Sequence, residues 1–591
     1  MDYRDLNGNG RLDVYEDPRR PLEERVDDLL AQMTLEEKAG LMYHTPIGMN
    51  PDGTLIEDPA PFSPVATREL LLERHITHFN IYWTPGAGEV AAWHNHLQKL
   101  AEEARLGIPV TISSDPRHGF SDNPATSLAS GSFSQWPEPI GFAAAGDDEL
   151  VRTFGDIARQ EYLAVGIRVA LHPMADLSTE PRWARTSGSF GEDAELASRM
   201  LVGYIRGFQG DELGPNSVAC MTKHFPGGGP QADGEDPHFA TGKDQVYPGG
   251  NFEYHLLPFA AAFAAGSAQA MPYYGRPVGT ELEEVGFGFN RGVITGLLRD
   301  RFGFDGVVCT DWGLVTDADL GDWVFPAKCW GVEELSAPER LAKIIDAGCD
   351  QLGGENDPAL LVELVREGRI REARIDDSVR RLLREKFRLG LFDDPYVDEA
   401  AAVAIAGRED FRRAGAEAQR RSLVLLANDG VLPVRGRPRL YLEGVDRETA
   451  EQYADVADSP ADADLAVLRI AAPYEPREGF LEGLFHQGSL EFSAADRDRI
   501  LDVARQVPTI VDVFLDRPAV LTEVASGAAA LVGSFGAADD ALLDLVFGRF
   551  APAGRLPFEL PSSMDAVLRQ LPDVPYDSEE PLYPFGHGLS Y

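Results

Sequence analysis

Cysteine is scarce. Four residues, Cys220, Cys309, Cys329 and Cys349, are spread through a chain of 591. None forms a C-x-x-C pair, and a chain this long needs no disulfide scaffold, so buried free thiols are expected. Positive charge is scarce too: 54 Lys plus Arg face 96 Asp plus Glu, a net formal charge of −42. No basic run interrupts that acidity, and such a surface repels phosphate backbones and anionic membranes. Nucleic-acid and membrane partners are therefore excluded, whereas a neutral substrate such as a sugar meets no penalty. No stretch approaches about 20 consecutive apolar residues, so no transmembrane helix is expected. The segment from Met1 to Gly10 is polar and acidic, without an apolar stretch behind a basic start, so no export signal is expected and the cytoplasm is the expected location. Short-period repeats and low-complexity tracts are absent as well.

What is present is an ordinary globular balance, 44% apolar and 25% charged, in a chain too long for one hydrophobic core. Two large domains follow. From about residue 25 to 391, short apolar runs (Ile108 to Ile112, Arg168 to Leu171, Gly306 to Cys309) alternate with amphipathic helical patterns, as at 149–163 and 193–208. Repeated strand-then-helix units predict an α/β fold, a (β/α) TIM-like barrel whose strands need not be regular, with its site at the C-terminal strand ends. An Arg- and Leu-rich helix at 376–387 stops before Pro395, which blocks its continuation. A helix at 410–422 then leads into a second α/β pattern, with strands expected at 465–470, 509–515 and 529–532. The division read from these signals is an N-terminal segment 1–24, a barrel 25–391, a linker 392–408 and an α/β sandwich domain 409–591 that contributes to the active site.

The N-terminal segment carries a motif of its own. Asp5, Asn7, Asn9, Arg11, Asp13 and Glu16 fall at positions one, three, five, seven, nine and twelve of an EF-hand loop, with Gly10 at the sharp turn of position six. Hard Ca²⁺ takes six to eight oxygens, and position seven offers the Arg11 carbonyl. A structural Ca²⁺ clip is expected, with no cofactor for catalysis. The competing reading is a polar tail.

Several chemistry-bearing residues follow apolar runs. Asp311, directly after a buried strand and before Trp312, could attack an anomeric carbon while a second carboxylic acid protonates the leaving oxygen. Its competing role is a helix cap. Trp312 offers an apolar face to a sugar ring. Lys223 and His224 precede a glycine-rich turn and can donate to hydroxyls. Asp115 can accept from two adjacent hydroxyls, and Arg182 can donate two parallel bonds.

Together these segments resemble glycoside hydrolase family 3 over almost the whole chain. Residues 23–38 resemble its opening helices. Pro181-Arg182-Trp183, Lys223-His224-Phe225 and Thr310-Asp311-Trp312 resemble its barrel motifs, in the family's order. Residues 422–430, Gly554-Arg555-Leu556-Pro557-Phe558 and the stretch from Pro584 to Tyr591 resemble its second domain. The resemblance implies a barrel joined to an α/β sandwich with the pocket between them. It implies a retaining, exo-acting β-glycosidase that releases terminal glucose through a covalent intermediate on Asp311. Asp115, Arg182, Lys223 and His224 would hold the sugar, and Tyr274, three residues after Met271, would contact the nucleophile. The acid/base of β-glucosidases is a second-domain Glu; Glu482 fits that spacing first, Glu478 second and Glu475 third. Asp236-Pro237-His238 resembles the family's Asp-x-His dyad and ranks below them.

A small oligosaccharide or glycoside is the expected partner, and a homodimer is left open. Rival readings are a β-xylosidase or arabinofuranosidase on the same scaffold, a non-catalytic carbohydrate-binding paralogue, and a phosphorylase. The aromatics at 323–330 and 480–492 are candidates for the pocket entrance or for core.

Overall fold

The computed structural model describes residues 3–60, 63–319 and 324–591. Eight parallel strands form one curled sheet: β1 (Tyr43–Pro46), β2 (His78–Asn80), β3 (Thr111–Ser114), β4 (Ile167–Ala170), β5 (Ala219–Phe225), β6 (Gln269–Pro272), β7 (Val307–Val308) and β8 (Leu352–Gly353). Their order is β8-β1-β2-β3-β4-β5-β6-β7. A parallel bridge from Cys309 to Gln351 joins β7 to β8 and closes the barrel. Helices such as Asp148–Ala164 and Ala194–Gln209 cover the outside. Each is capped by an aspartate side chain, Asp147 or Asp193, accepting from the first-turn amides, a contribution of about 1 kcal/mol apiece. Expected helices thus appear nearly where periodicity put them. The strand read at 108–112 begins instead at Thr111: residues 108–110 are apolar and buried, so burial, not pairing, explains their composition.

The second domain holds six strands: β9 (Val424–Asn428), β10 (Arg439–Glu443), β11 (Asp455–Val456), β12 (Leu465–Ala471), β13 (Thr509–Phe514) and β14 (Ala530–Ser534). They are ordered β9-β14-β13-β12-β10-β11, with β9 alone antiparallel to its neighbour. Apolar clusters lie on both faces of this sheet, so its strands read as continuous apolar runs. The stretch read as a linker contains a helix, Glu399–Ile405, whose Ala402 is buried in the barrel domain's core cluster.

The two domains are fastened by buried polar contacts. Glu192 accepts from the amides of Glu559 (2.7 Å) and Tyr576 (2.8 Å), and Asp573 accepts from Gly249 and Asn251, each at 2.8 Å. Ile140 and Ala144 of the first domain belong to the second domain's core cluster. All four cysteines are buried free thiols, and burial pushes Cys220, Cys309 and Cys349 upward, away from reactivity. No helix among the described residues is long and apolar enough to cross a membrane.

Candidate active site

The strand ends converge on a cavity of about 360 Å³ lined by Asp115, Lys223, His224, His238, Tyr274, Asp311 and Trp312, among others. That volume lies within the usual range of small-molecule sites.

Asp311 follows β7 by three residues and is 7% exposed. Its Oδ1 accepts from the Trp312 amide at 2.9 Å, and its Oδ2, although buried, has no hydrogen-bond partner. No helix follows it directly; the next α-helix among the described residues, Ala337–Ala347, is capped by Ser336, which removes the helix-cap reading. In the wall of the cavity, that oxygen is placed to meet an atom of a bound substrate. The Tyr274 hydroxyl donates to the Trp312 carbonyl and accepts from its amide, both at 3.0 Å. Burial and the Asp311 charge push that phenol well above its ordinary value, so it stays a neutral donor. Tyr274 therefore braces the peptide that carries the nucleophile candidate.

Across the cavity, Lys223 Nζ donates to Asp115 Oδ1 at 2.9 Å, with Asn80 Nδ2 3.4 Å from Oδ2. Strand alternation would send Lys223 and His224 to opposite faces. The β5–β6 register shifts between Lys223 and Phe225, and both side chains line the cavity. His224 Nδ1 lies 2.8 Å from Asp176 Oδ2, and its Nε2 lies 2.9 Å from Arg185 Nη1. Arg185 can only donate, so Nε2 is the acceptor and Nδ1 carries the proton. Burial, aided by Arg185 and Lys223, pushes this imidazole far down, so it is neutral. The glycine turn that follows is required by space: a Cβ on Gly229 would lie 1.6 Å from the Leu177 carbonyl oxygen.

Arg182 is placed elsewhere. Its guanidinium makes two bonds to Glu180, at 2.8 and 3.0 Å, and does not line the cavity. Arg185, three residues on, does. The sequence contained the signal, a second arginine after the same strand, but nothing in the pattern said which of the two faced inward. Burial alone would lower Arg185, and Tyr273, Asp236, Asp311 and Asp176 reverse that and hold it charged. Lys328 also lines the cavity unanticipated, its ammonium 5.8 Å from the Tyr274 ring centre; burial lowers it.

The acid/base candidates separate sharply. Glu475 and Glu478 are exposed, Glu482 is half-buried, and none lines the cavity. Their segment, 473–489, does reach it, through Phe480 and Leu481. His238 lines the cavity directly, its Nδ1 2.6 Å from Asp236 Oδ1. Asp236 is fully buried and also accepts from Tyr273 at 3.2 Å. Burial would raise its carboxyl, but the charge and hydrogen bond of His238 outweigh that and hold it below the ordinary range. The His238 ring packs, with centroids 4.7 Å apart, against Tyr274, the residue whose hydroxyl holds the Trp312 peptide. Of the entrance aromatics, Phe325 and Phe480 line the cavity, Phe485 and Trp330 are buried, and Trp323 lies outside the described residues.

Residues 84–385 match the Glycosyl hydrolase family 3 N terminal domain and residues 440–591 its C-terminal domain. The chain belongs to glycoside hydrolase family 3. "Beta-glucosidase C" of Emericella nidulans is 52% identical over 588 residues, 98% of this chain and 94% of that protein. "Periplasmic beta-glucosidase/beta-xylosidase" of Dickeya chrysanthemi is 43% identical over 619 residues, covering 100% of this chain and 93% of that protein. A β-glucosidase of Listeria innocua, solved with glucose, superposes with a TM-score of 0.76 at 23% identity over 96% of this chain and 83% of that one. With this family comes its reaction class: the protein is a glycoside hydrolase, and the barrel-plus-sandwich architecture is the one expected for family 3.

At the N-terminus, the Asp5 carboxylate accepts from the amides of Asn9 (3.0 Å) and Gly10 (2.8 Å). Glu16 accepts from Leu6 (2.7 Å) and Asp13 (3.0 Å). Asn7 and Asn9 both donate Nδ2 to Asp13 Oδ2, at 2.6 and 2.8 Å. The oxygen donors expected for calcium thus sit around one loop that closes on itself through their own hydrogen bonds. Among the described residues, no group of three or more His, Cys, Asp or Glu side chains is arranged to hold a metal.

Proposed function

We propose that this enzyme is a retaining, exo-acting β-glucosidase with Asp311 as nucleophile and the Asp236–His238 pair as acid/base. The observation that carries the nucleophile is the Asp311 Oδ2, a buried carboxylate oxygen without a donor in the wall of the cavity. Asp115 and Lys223 supply an acceptor and a donor at the inner end, which suits the free hydroxyls of a terminal ring. In the first step Asp311 attacks the anomeric carbon while the protonated His238 gives its Nε2 proton to the departing oxygen, with Asp236 stabilising the imidazolium. The neutral imidazole then takes a proton from the water that attacks the glycosyl-enzyme. The Tyr274 and Trp312 peptide contacts hold Asp311 in place through both steps.

The glucose assignment draws on relatives named β-glucosidase; the name β-xylosidase in the Dickeya protein favours xylose as the second reading. Following hydrolysis of methyl β-glucoside and β-xyloside by proton NMR tests both. The β-anomer of glucose should appear first; first release of the α-anomer would refute the retaining mechanism, and a faster xyloside would replace the sugar.

We also propose that the loop at 5–16 takes a structural Ca²⁺ through Asp5, Asn7, Asn9, the Arg11 carbonyl, Asp13 and Glu16. The donor set is all oxygen once the two amides turn over, which matches calcium's preference. Tyr15, fully buried within the loop, ties this segment to the barrel by accepting from Arg25 through its carbonyl.

A further inference from the structure

The cavity has two unlike halves. Its inner half is built from strand ends and is polar, with Asp115, Lys223, His224, Arg185 and Asp311. Its outer half is built from loops, and Pro64, Pro124, Ala125, Phe325, Phe480 and Leu481 line it. None of these six side chains can donate or accept a hydrogen bond. Phe480 is 40% exposed, an apolar surface that an occupant would cover.

Three polar side chains of the outer half already have partners in the protein. The Thr316 hydroxyl donates to Glu355 at 2.5 Å, an Asp317 oxygen accepts from the Ala327 amide at 2.8 Å, and Asn356 Oδ1 lies 3.2 Å from Arg74 Nη1. A second sugar brought here would leave hydroxyls facing prolines, alanine, leucine and phenylalanine, and a polar group desolvated without a partner is costly.

The apolar wall is also held still. Arg517, fully buried, donates to the carbonyls of Pro473 (2.7 Å), Gln487 (3.2 Å), Gly488 (3.1 Å) and Ser489 (3.0 Å), pinning both ends of the segment that carries Phe480 and Leu481. It also donates to the Arg182 carbonyl at 3.0 Å, fixing that segment to the barrel. Asn123 donates to the Leu484 carbonyl at 3.0 Å, which joins the loop of Pro124 and Ala125 to the same wall. A preformed apolar surface loses little entropy on binding.

We propose that the outer half of this cavity selects glycosides whose aglycone is an apolar group, aromatic or alkyl, over those whose aglycone is a second sugar. This rests on the reading of the site as an exo-β-glycosidase. The test compares alcohols that leave with similar ease, so that rate reports binding: kcat/KM for methyl, benzyl and octyl β-glucosides, and the matching xylosides, beside cellobiose. Benzyl and octyl glycosides should exceed methyl by about tenfold or more, the scale expected for covering one apolar group, and should exceed cellobiose. Phe480→Asn and Leu481→Asn should each lower the benzyl-to-methyl ratio. A ratio near one, or a disaccharide turned over better than the benzyl glycoside, overturns the proposal while leaving the glycosidase reading intact. If no member of either series is hydrolysed faster by the wild type than by Asp311→Asn, the glycosidase reading fails and this inference falls with it.

Discussion

The strand-end cluster and the second-domain segment at 473–489 meet in one cavity but are built on different terms. Asp115, Lys223, His224 and Asp311 are each at most 7% exposed and sit at or directly after barrel strands. Their positions are set by sheet register and by buried partners such as Asp176, Asn80 and Arg185. The 473–489 segment has a short 3₁₀ turn, exposed Tyr474, Phe480 and Leu484, and outward glutamates. It is held at its ends by one arginine and in the middle by an Arg477–Glu235 ion pair at 2.6 Å. The difference teaches a division of labour. Charge comes from the barrel, on strand ends and, for the Asp236–His238 pair, on a loop held by buried partners, and the second domain supplies shape.

Removing the proposed nucleophile should have the largest effect. Asp311→Asn is expected to lower kcat by about four orders of magnitude, the scale for losing a covalent nucleophile. Circular dichroism would verify the fold. In contrast, Glu475→Gln, Glu478→Gln and Glu482→Gln should each stay within about threefold of wild type, as surface changes do. A hundredfold loss in any one of them, restored by added azide, would put the acid/base on the second domain and reverse the comparison.

Next comes the dyad. His238→Asn should lower kcat/KM by about a hundredfold to a thousandfold on methyl β-glucoside, and much less on a nitrophenyl glucoside, which needs no protonation. Asp236→Asn removes the carboxylate that holds Nδ1, so it should lower kcat/KM on methyl β-glucoside more than on the nitrophenyl glucoside, though less than His238→Asn does. An equal loss on both substrates would mean that the pair does not protonate the leaving oxygen.

How much of this the sequence discloses follows the same division. The barrel and its helices are readable because burial of a parallel sheet writes apolar runs, whereas Asp311 is divided by local pattern between nucleophile and helix cap, and only the family resemblance favours the first. Arg182 and Arg185 were not separable, since two arginines three apart after a strand differ only in which way the loop turns. Spacing puts the acid/base at Glu482, yet spacing along an irregular loop does not determine which side chain faces inward, and Glu482 does not line the cavity. Arg517 carried no signal either: its partners are carbonyls, which every residue has.

Arg517 offers a finer cut. Lysine keeps the charge but not the planar fork that reaches five carbonyls. In Arg517→Lys the 473–489 wall should loosen, raising KM for benzyl β-glucoside about fivefold with kcat nearly unchanged, the pattern of lost uniform binding. A kcat that falls as far as kcat/KM would instead tie this segment to the transition state, and the contrast between shape and charge would not hold.

The smallest effect is expected farthest from the cavity. If the 5–16 loop binds Ca²⁺, chelation should lower the apparent Tm by about 2 °C, since one or two kcal/mol is diluted over the large unfolding entropy of a chain this size. The site of action distinguishes this from a general salt effect. Asp5→Ala should abolish the response to calcium, because it removes the loop's first ligand and the acceptor for the Asn9 and Gly10 amides. The same change should leave kcat on methyl β-glucoside untouched, as the loop lies among the barrel's outer helices rather than in the cavity lining. A calcium response that survives in Asp5→Ala would move the ion elsewhere. A change in kcat would show that the N-terminal clip reaches the strand ends, and that the barrel is less insulated from its periphery than its buried contacts indicate.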